Sequence, residues 1–258
     1  MANKYQYFYL IEIQYLGFRY HGWQIQGKLK TVELMLGKTI SYIWPNIWKI
    51  LAAGRTDALV SAASGYFELF TLEPIDQLKF MADMNVNLPP DISLLSIKEV
   101  GAAFNIINDV REKTYQYYFA FGSHKFPLSA SLISFFVGDL NISDMVIAAQ
   151  VFEGSHDFTE FSKDIKEGSK KIRSIKSSCI GINEELVANF FPPESFIFEV
   201  KGKGFARHQI RLMMGALVQV GRGELKVDMI QRALRGENSM RTKLLAPASG
   251  LMVKEIKY

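Results

Sequence analysis

Ala53-Gly54-Arg55-Thr56-Asp57-Ala58 sets a carboxylate two residues from a guanidinium in a tight turn between two apolar runs. Ile50-Leu51-Ala52-Ala53 leads into the turn and Ala62-Ala63-Ser64-Gly65-Tyr66-Phe67 leads out of it, and both read as buried strand or packed segment. Charges sunk between apolar runs carry a desolvation cost, so the turn is a candidate for chemistry as well as for a surface ion pair. An arginine so close in sequence is expected to favour the charged carboxylate, an anion suited to nucleophilic or general-base work.

Strand and helix periods follow on both sides of this turn. Lys4 to Leu16 reads as a strand, and Thr31 as the N-cap of a helix whose apolar face is Val32, Met35, Leu36, Thr39, Ile40 and Ile43. A second helix is expected from Ile75 to Asn85, stopped by Leu88-Pro89-Pro90, and then a strand from Ile92 to Val100. From Thr114 to Phe121 aromatic and β-branched residues dominate, which predicts a long strand with Tyr115, Tyr117 and Phe119 on one face. Ser143 is expected to cap a helix through Phe152 that Gly154 stops, and Ile172 to Ile182 and Ser195 to Val200 read as strands. Phe205 to Val220 predicts a helix with Ile210, Met213, Leu217 and Val220 as its stripe, closed by Gly221 and Gly223. A shorter helix over Val227 to Leu234 and a strand over Gly250 to Tyr258 complete the pattern. No unit of about 20 to 50 residues repeats. The mixture is too irregular for a βα barrel, and the expected class is α+β, with two lobes sharing a mainly antiparallel mixed sheet flanked by helices.

With 258 residues, 48% hydrophobic and 22% charged, the chain reads as a soluble globular protein of one large domain or two closely packed lobes. No apolar run approaches the ~20 residues of a membrane span, and the opening residues alternate like a strand, so the expected location is the cytoplasm and no membrane partner is expected. The single cysteine, Cys179, has no partner for a disulfide or a zinc cage and is expected to be a small buried hydrophobe. The net charge of +4 is modest, yet Lys201, Lys203, Arg207, Arg211 and Arg222 follow one another with no acid between them. Lys163 to Lys176 likewise holds six basic residues against Asp164 and Glu167. Such patches suit a phosphate backbone or a solvated basic face.

Six stretches together resemble the TruA family of tRNA pseudouridine synthases, over nearly the whole chain. They are Tyr15-Leu16-Gly17-Phe18-Arg19-Tyr20-His21-Gly22-Trp23-Gln24-Ile25-Gln26, Gly54-Arg55-Thr56-Asp57-Ala58, Lys113-Thr114-Tyr115-Gln116-Tyr117, His156-Asp157-Phe158-Thr159-Glu160-Phe161, Phe205 to Gly223, and Ala246-Pro247-Ala248-Ser249-Gly250-Leu251. The resemblance implies the pseudouridine synthase fold, with residues 1–103 as the lobe carrying the catalytic loop and 104–258 as the lobe carrying the tyrosine strand and a basic helix. It implies isomerisation of uridine in the anticodon arm of tRNA, without metal or other cofactor, by a homodimer. Asp57 matches the family's catalytic aspartate, acting as nucleophile or by removing a sugar proton. Arg55 matches the arginine that pairs with it and helps displace the target nucleotide, Tyr115 the aromatic residue that stacks on the flipped base, and Leu251 an apolar wall. Arg207, His208 and Arg211 are expected contacts to RNA, with Arg207 and Arg211 four apart on one helical face. His156 and Asp157 are expected to be structural, and His21 and Trp23 to shape the RNA-facing surface or, for Trp23, to pack.

Five positions depart from the family's pattern. Leu59 stands where glycine is common after the catalytic Asp-Ala, Ser61 where histidine is common, Leu16 where an acid is expected, Ile107 where arginine is usual and Leu212 where asparagine follows the arginine. If the glycine serves a positive φ, Leu59 strains the turn or forces another. These changes spare Asp57, Arg55 and Tyr115 but alter their surroundings. They leave a second reading open, an RNA-binding paralogue with little or no isomerase activity.

Overall fold

The computed structural model describes residues 5–163, 171–237 and 243–258. Two units divide the chain, Met1–Arg111 with Val253–Tyr258, and Glu112–Met252. Together they hold ten strands and five α-helices among the described residues, the α+β class expected of the pseudouridine synthase fold. None of these helices is long and apolar enough to cross a membrane.

The first unit opens with β1 (Tyr7–Tyr15), followed by a 3-10 turn at Gly17–Arg19 and α1 (Val32–Ile43). Then come β2 (Trp48–Ala52), β3 (Ser61–Thr71), α2 (Gln77–Asn87) and β4 (Ile92–Glu99). β1 runs antiparallel to β3 on one side and β4 on the other, and its central position buries Ile11 and Ile13 completely. β2 pairs antiparallel with the Phe67–Thr71 half of β3. Thr31 is the N-cap of α1, its Oγ1 accepting the Leu34 N–H at 3.3 Å, and Val32, Leu36, Thr39 and Ile40 are buried. α2 is capped by Asp76, whose Oδ1 accepts the Lys79 N–H at 3.1 Å, and it ends at Leu88, which the following proline holds extended.

The segment Phe104–Arg111 belongs to this unit through Ile106, which is fully buried. Its carbonyl accepts the Tyr258 hydroxyl at 3.3 Å, Tyr258 meets the Tyr66 ring edge-on at 5.3 Å, and the Arg111 N–H donates to the Lys257 carbonyl at 2.8 Å. The last strand, β10 (Leu251–Lys257), borders β3 here.

The second unit holds β5 (Glu112–Gly122), β6 (Ser134–Val137), α3 (Ile142–Gln150), β7 (Gly154–Asp157) and β8 (Ile172–Ile182). β9 (Phe196–Gly202), α4 (Gln209–Gly221) and α5 (Val227–Leu234) follow. β5, β9, β8 and β7 pair in that order, all antiparallel, while β6 pairs parallel with Phe119–Gly122. Tyr117 and Phe119 on one face of β5 and Gln116, Tyr118 and Ala120 on the other are all buried, so the strand is covered on both sides.

Three expectations are corrected here. α3 is capped by Asn141, whose Oδ1 accepts the Asp144 N–H at 3.2 Å, two positions before Ser143; an asparagine caps as well as a serine does. α4 starts at Gln209 instead of Phe205, because His208 sits in the left-handed region at φ +61° and Gln209 Oε1 caps the Ala206 N–H at 2.8 Å. Arg207 therefore precedes the helix and does not share a helical face with Arg211. Cys179, finally, lies on an exposed position of β8, since the strand's buried side is taken by Ile175, Ser178 and Ile180.

Candidate active site

The loop Ala53–Val60 joins β2 to β3, and the segment before α1 braces it. The Trp23 N–H donates to the Thr56 carbonyl at 3.2 Å and the Leu59 N–H to the Tyr20 carbonyl at 3.0 Å. The hydroxyls of Tyr15 and Thr56 meet at 2.9 Å, the Gly17 N–H donates to Ser61 Oγ at 2.9 Å, and Val60 N–H closes the turn on the Asp57 carbonyl at 3.3 Å. Two glycines make this approach possible. A Cβ on Gly17 would overlap the Val60 carbonyl, and one on Gly22, at φ +88°, would lie 2.6 Å from the Thr56 oxygen. The brace is itself anchored, with Val32 N–H on the Gly22 carbonyl at 3.2 Å and Glu33 N–H on the Trp23 carbonyl at 3.0 Å. Trp23 is buried against Tyr15 and Phe67, so packing is its role. Arg19 Nε and the Tyr20 hydroxyl both donate to Asp91, each at 2.6 Å. Burial pushes the Asp91 carboxyl up, but these two bonds outweigh it and hold the group below the usual carboxylate range.

Asp57 is half-buried on this loop, and Arg55 is exposed. The expectation paired the Arg55 guanidinium with Asp57; its Nη1 instead donates to Gln24 Oε1 at 2.8 Å. Leu59 does take the positive φ anticipated at its position, +70°, and the residue is 38% exposed. Ser61, in place of the family's histidine, is buried and used by the brace as the acceptor for Gly17. Ile107 is exposed in a loop where Asn105 Oδ1 accepts the N–H groups of Ile107 and Asn108, both at 3.0 Å.

In the second unit Tyr115 lies on β5 opposite Val200 of β9, and its ring meets Phe205 edge-on at 5.1 Å. The stretch Ala246–Leu251 is laced onto β5 and α4. The Tyr117 hydroxyl donates to the Pro247 carbonyl at 2.8 Å, Tyr118 N–H to the Gly250 carbonyl at 2.8 Å, and Arg211 Nε to the Ala246 carbonyl at 2.8 Å. Leu251, almost fully buried, closes a turn on the Ala248 carbonyl at 3.0 Å. Gly215 of α4 leaves no room for a Cβ beside the Leu244 carbonyl.

The basic cluster is uneven. Lys203 and Arg207 are exposed, while Lys201 pairs with Glu199 at 2.8 Å and Arg222 Nη2 donates to the Val137 carbonyl at 3.2 Å. Of the Lys163–Lys176 cluster, residues 164–170 lie outside the described residues. Burial lowers the pKa of the Lys113 ammonium, two residues from Tyr115 on the same face of β5. His156 and Asp157 serve structure: His156 Nε2 donates to the Glu153 carbonyl at 2.6 Å, and Asp157 Oδ1 accepts from Thr159 N–H at 3.0 Å and Lys171 N–H at 3.3 Å. Phe158 and Phe161 of the same motif are fully buried around Phe152. Sequence reasoning passed over Gln24 and Phe205. Both lie inside the quoted signatures, which was the available signal.

Residues 148–258 match a family model described as tRNA pseudouridine synthase. Over 247 residues, 96% of this chain and 89% of the relative, the sequence is 31% identical to the tRNA pseudouridine synthase A of Staphylococcus epidermidis. The chain belongs to the tRNA pseudouridine synthase A family. Two further members of the family are similar along their length. The one from Thermodesulfovibrio yellowstonii is 31% identical over 253 residues, 95% of this chain and 97% of its own, and that from Pelobacter propionicus 30% over 249 residues, 96% and 98%.

Proposed function

We propose that this protein converts uridine to pseudouridine in the anticodon arm of tRNA, with Asp57 as the catalytic carboxylate. Family membership makes it an isomerase acting on tRNA. The observation that carries the assignment of Asp57 is the brace: hydrogen bonds from Trp23 to Thr56 and from Leu59 to Tyr20 fix the backbone on both sides of it. A carboxylate on so constrained a loop is pre-oriented, which lowers the cost of reaching the reacting geometry.

In the reaction the bond from the sugar C1′ to N1 of uracil breaks, the base turns, and C1′ bonds to C5. The C5 proton leaves and N1 ends with a proton, so the product is an isomer of the substrate. Asp57 serves either route, attacking C1′ or removing a sugar proton. A base must leave the stack for this chemistry, at a cost of a few kcal/mol. Arg55 takes the vacated place, Tyr115 stacks on the flipped uracil, and Leu251 provides an apolar wall. Arg207, His208 and Arg211 contact the RNA backbone. The protein acts as a homodimer in the cytoplasm, where a lone exposed thiol such as Cys179 stays reduced.

The test is pseudouridine formation in unmodified tRNA, mapped by position, for wild type and Asp57→Asn side by side. Product in the anticodon arm from the wild type alone, with the variant's tRNA affinity within about a few-fold, is the expected result. No product from either protein, with tight binding retained, would select the RNA-binding paralogue, which the left-handed Leu59 beside Asp57 favours.

A further inference from the structure

Gln24 and Arg55 are both exposed, and 31 positions apart in the chain they meet through one hydrogen bond, Arg55 Nη1 to Gln24 Oε1 at 2.8 Å. A bond between two long exposed side chains contributes little by itself. Its meaning comes from the mounting at either end. On the Gln24 side, the preceding residue donates its N–H to the Thr56 carbonyl at 3.2 Å and accepts the Glu33 N–H at 3.0 Å, and the following residue, Ile25, donates its N–H to Glu33 Oε2 at 2.9 Å. On the Arg55 side, the next residue is Thr56, held by Trp23 and by the Tyr15 hydroxyl at 2.9 Å. The two side chains therefore spring from backbones joined by the Trp23–Thr56 bond, one residue away from each of them, with Gly22 supplying the close approach. Among the described residues, Gln24 is the acceptor that holds the guanidinium.

The chemistry of the acceptor matters as much as its place. An amide oxygen orients a guanidinium without cancelling its charge, whereas a carboxylate would form a bond about twice as strong and neutralise it. A cation that is to be exchanged onto RNA is best held by a neutral, weaker partner.

We propose that Gln24 is a positioning residue for Arg55, holding the guanidinium extended over the loop surface and fully charged until the RNA arrives. This inference rests on the reading of Arg55 as the group that takes the place of the flipped nucleotide. Gln24 acts only through Arg55.

The experiment is a double-mutant cycle in single-turnover pseudouridine formation, with Gln24→Leu, Arg55→Ala and the double variant. Tm and the salt dependence of tRNA binding are measured on each protein, and Gln24→Glu is added. Gln24→Leu is expected to slow the reaction roughly threefold to tenfold, the range of one net hydrogen bond. It is expected to add nothing on the Arg55→Ala background. Gln24→Glu keeps the contact but neutralises the cation, so it should lower the slope of log affinity against log salt by about one phosphate contact. Equal slowing by Gln24→Leu in both backgrounds would make Gln24 a support of the loop and overturn the inference, as would a wild-type rate in Gln24→Leu. A wild-type rate in Arg55→Ala is a different result, which removes Arg55 from the mechanism whatever Gln24 does.

Discussion

Leu59, at φ +70° immediately after Asp57-Ala58, allows the backbone strain of the Ala53–Val60 loop to be measured separately from its side-chain contacts. The left-handed region costs a non-glycine residue roughly 1 to 2 kcal/mol. Glycine avoids that cost but loses roughly 0.5 to 1 kcal/mol more conformational freedom on folding than alanine does. The residue is 38% exposed, so truncating its side chain forfeits about 1 kcal/mol of apolar burial in either variant. Leu59→Ala keeps the strain and loses the burial, and should fall about 1 kcal/mol below wild type. Leu59→Gly loses the same burial and sheds the strain, and should end near wild type, about 0.5 to 1 kcal/mol above Leu59→Ala. For a chain of this size the two variants should then differ by roughly 1 to 4 °C in Tm, glycine higher. Thermal unfolding followed by circular dichroism under one buffer condition is a sufficient assay. If Leu59→Ala melts at or above Leu59→Gly, the loop carries no strain at this position and the reasoning from its φ angle is wrong. Pseudouridine formation should survive in Leu59→Gly.

Two further outcomes are expected. Glu68 is 2% exposed on β3, and burial, opposed by the Ile106 N–H and Lys49, holds its pKa above the ordinary 4.5. Between 4.5 and the raised value the folded state keeps a proton that the unfolded state has released, so stability falls as pH rises through that window. Glu68→Gln keeps an acceptor for Ile106 and removes the titration. Its Tm advantage over wild type should be near zero at pH 4.5 and grow towards neutral pH, and a difference that stays flat with pH would refute this. Arg207 is exposed and outside α4, so Arg207→Ala should lower the salt slope of tRNA binding by about one phosphate contact. Arg211→Ala, which frees the Ala246 carbonyl, should lower Tm, and an unchanged slope for Arg207→Ala would remove that residue from the RNA interface.

Much of the fold was legible because caps and periods are local. Thr31 followed by a stripe through Ile40 gave α1, the proline pair after Leu88 ended α2, and aromatic alternation gave β5. The start of α4 was not legible, since Phe205 to His208 are ordinary helix residues by type and only a left-handed φ at His208 excludes them. β6 and β7, four residues each, are too short to show a period. Of the candidate site, the turn between two strands that carries Asp57 and the positive φ at Leu59 followed from the motif and its departures. The partner of Arg55 did not, because nothing local links it to a glutamine 31 positions earlier. The burial of Trp23 likewise depends on Phe67, which arrives only when β3 folds against β1.

The bordering of β3 by β10 has a consequence for biosynthesis. β3 emerges from the ribosome early, and β10 only when nearly the whole of Glu112–Met252 has been made. Until then the strand that follows the Asp57 loop keeps part of one edge unpaired, and Tyr66 lacks its cover from Tyr258. Open strand edges are where nascent chains associate wrongly. The first unit is thus begun first and finished last, and a chain interrupted anywhere before Val253 carries Asp57 on an uncompleted scaffold. Such fragments would be a burden on chaperones and proteases rather than partly active enzymes.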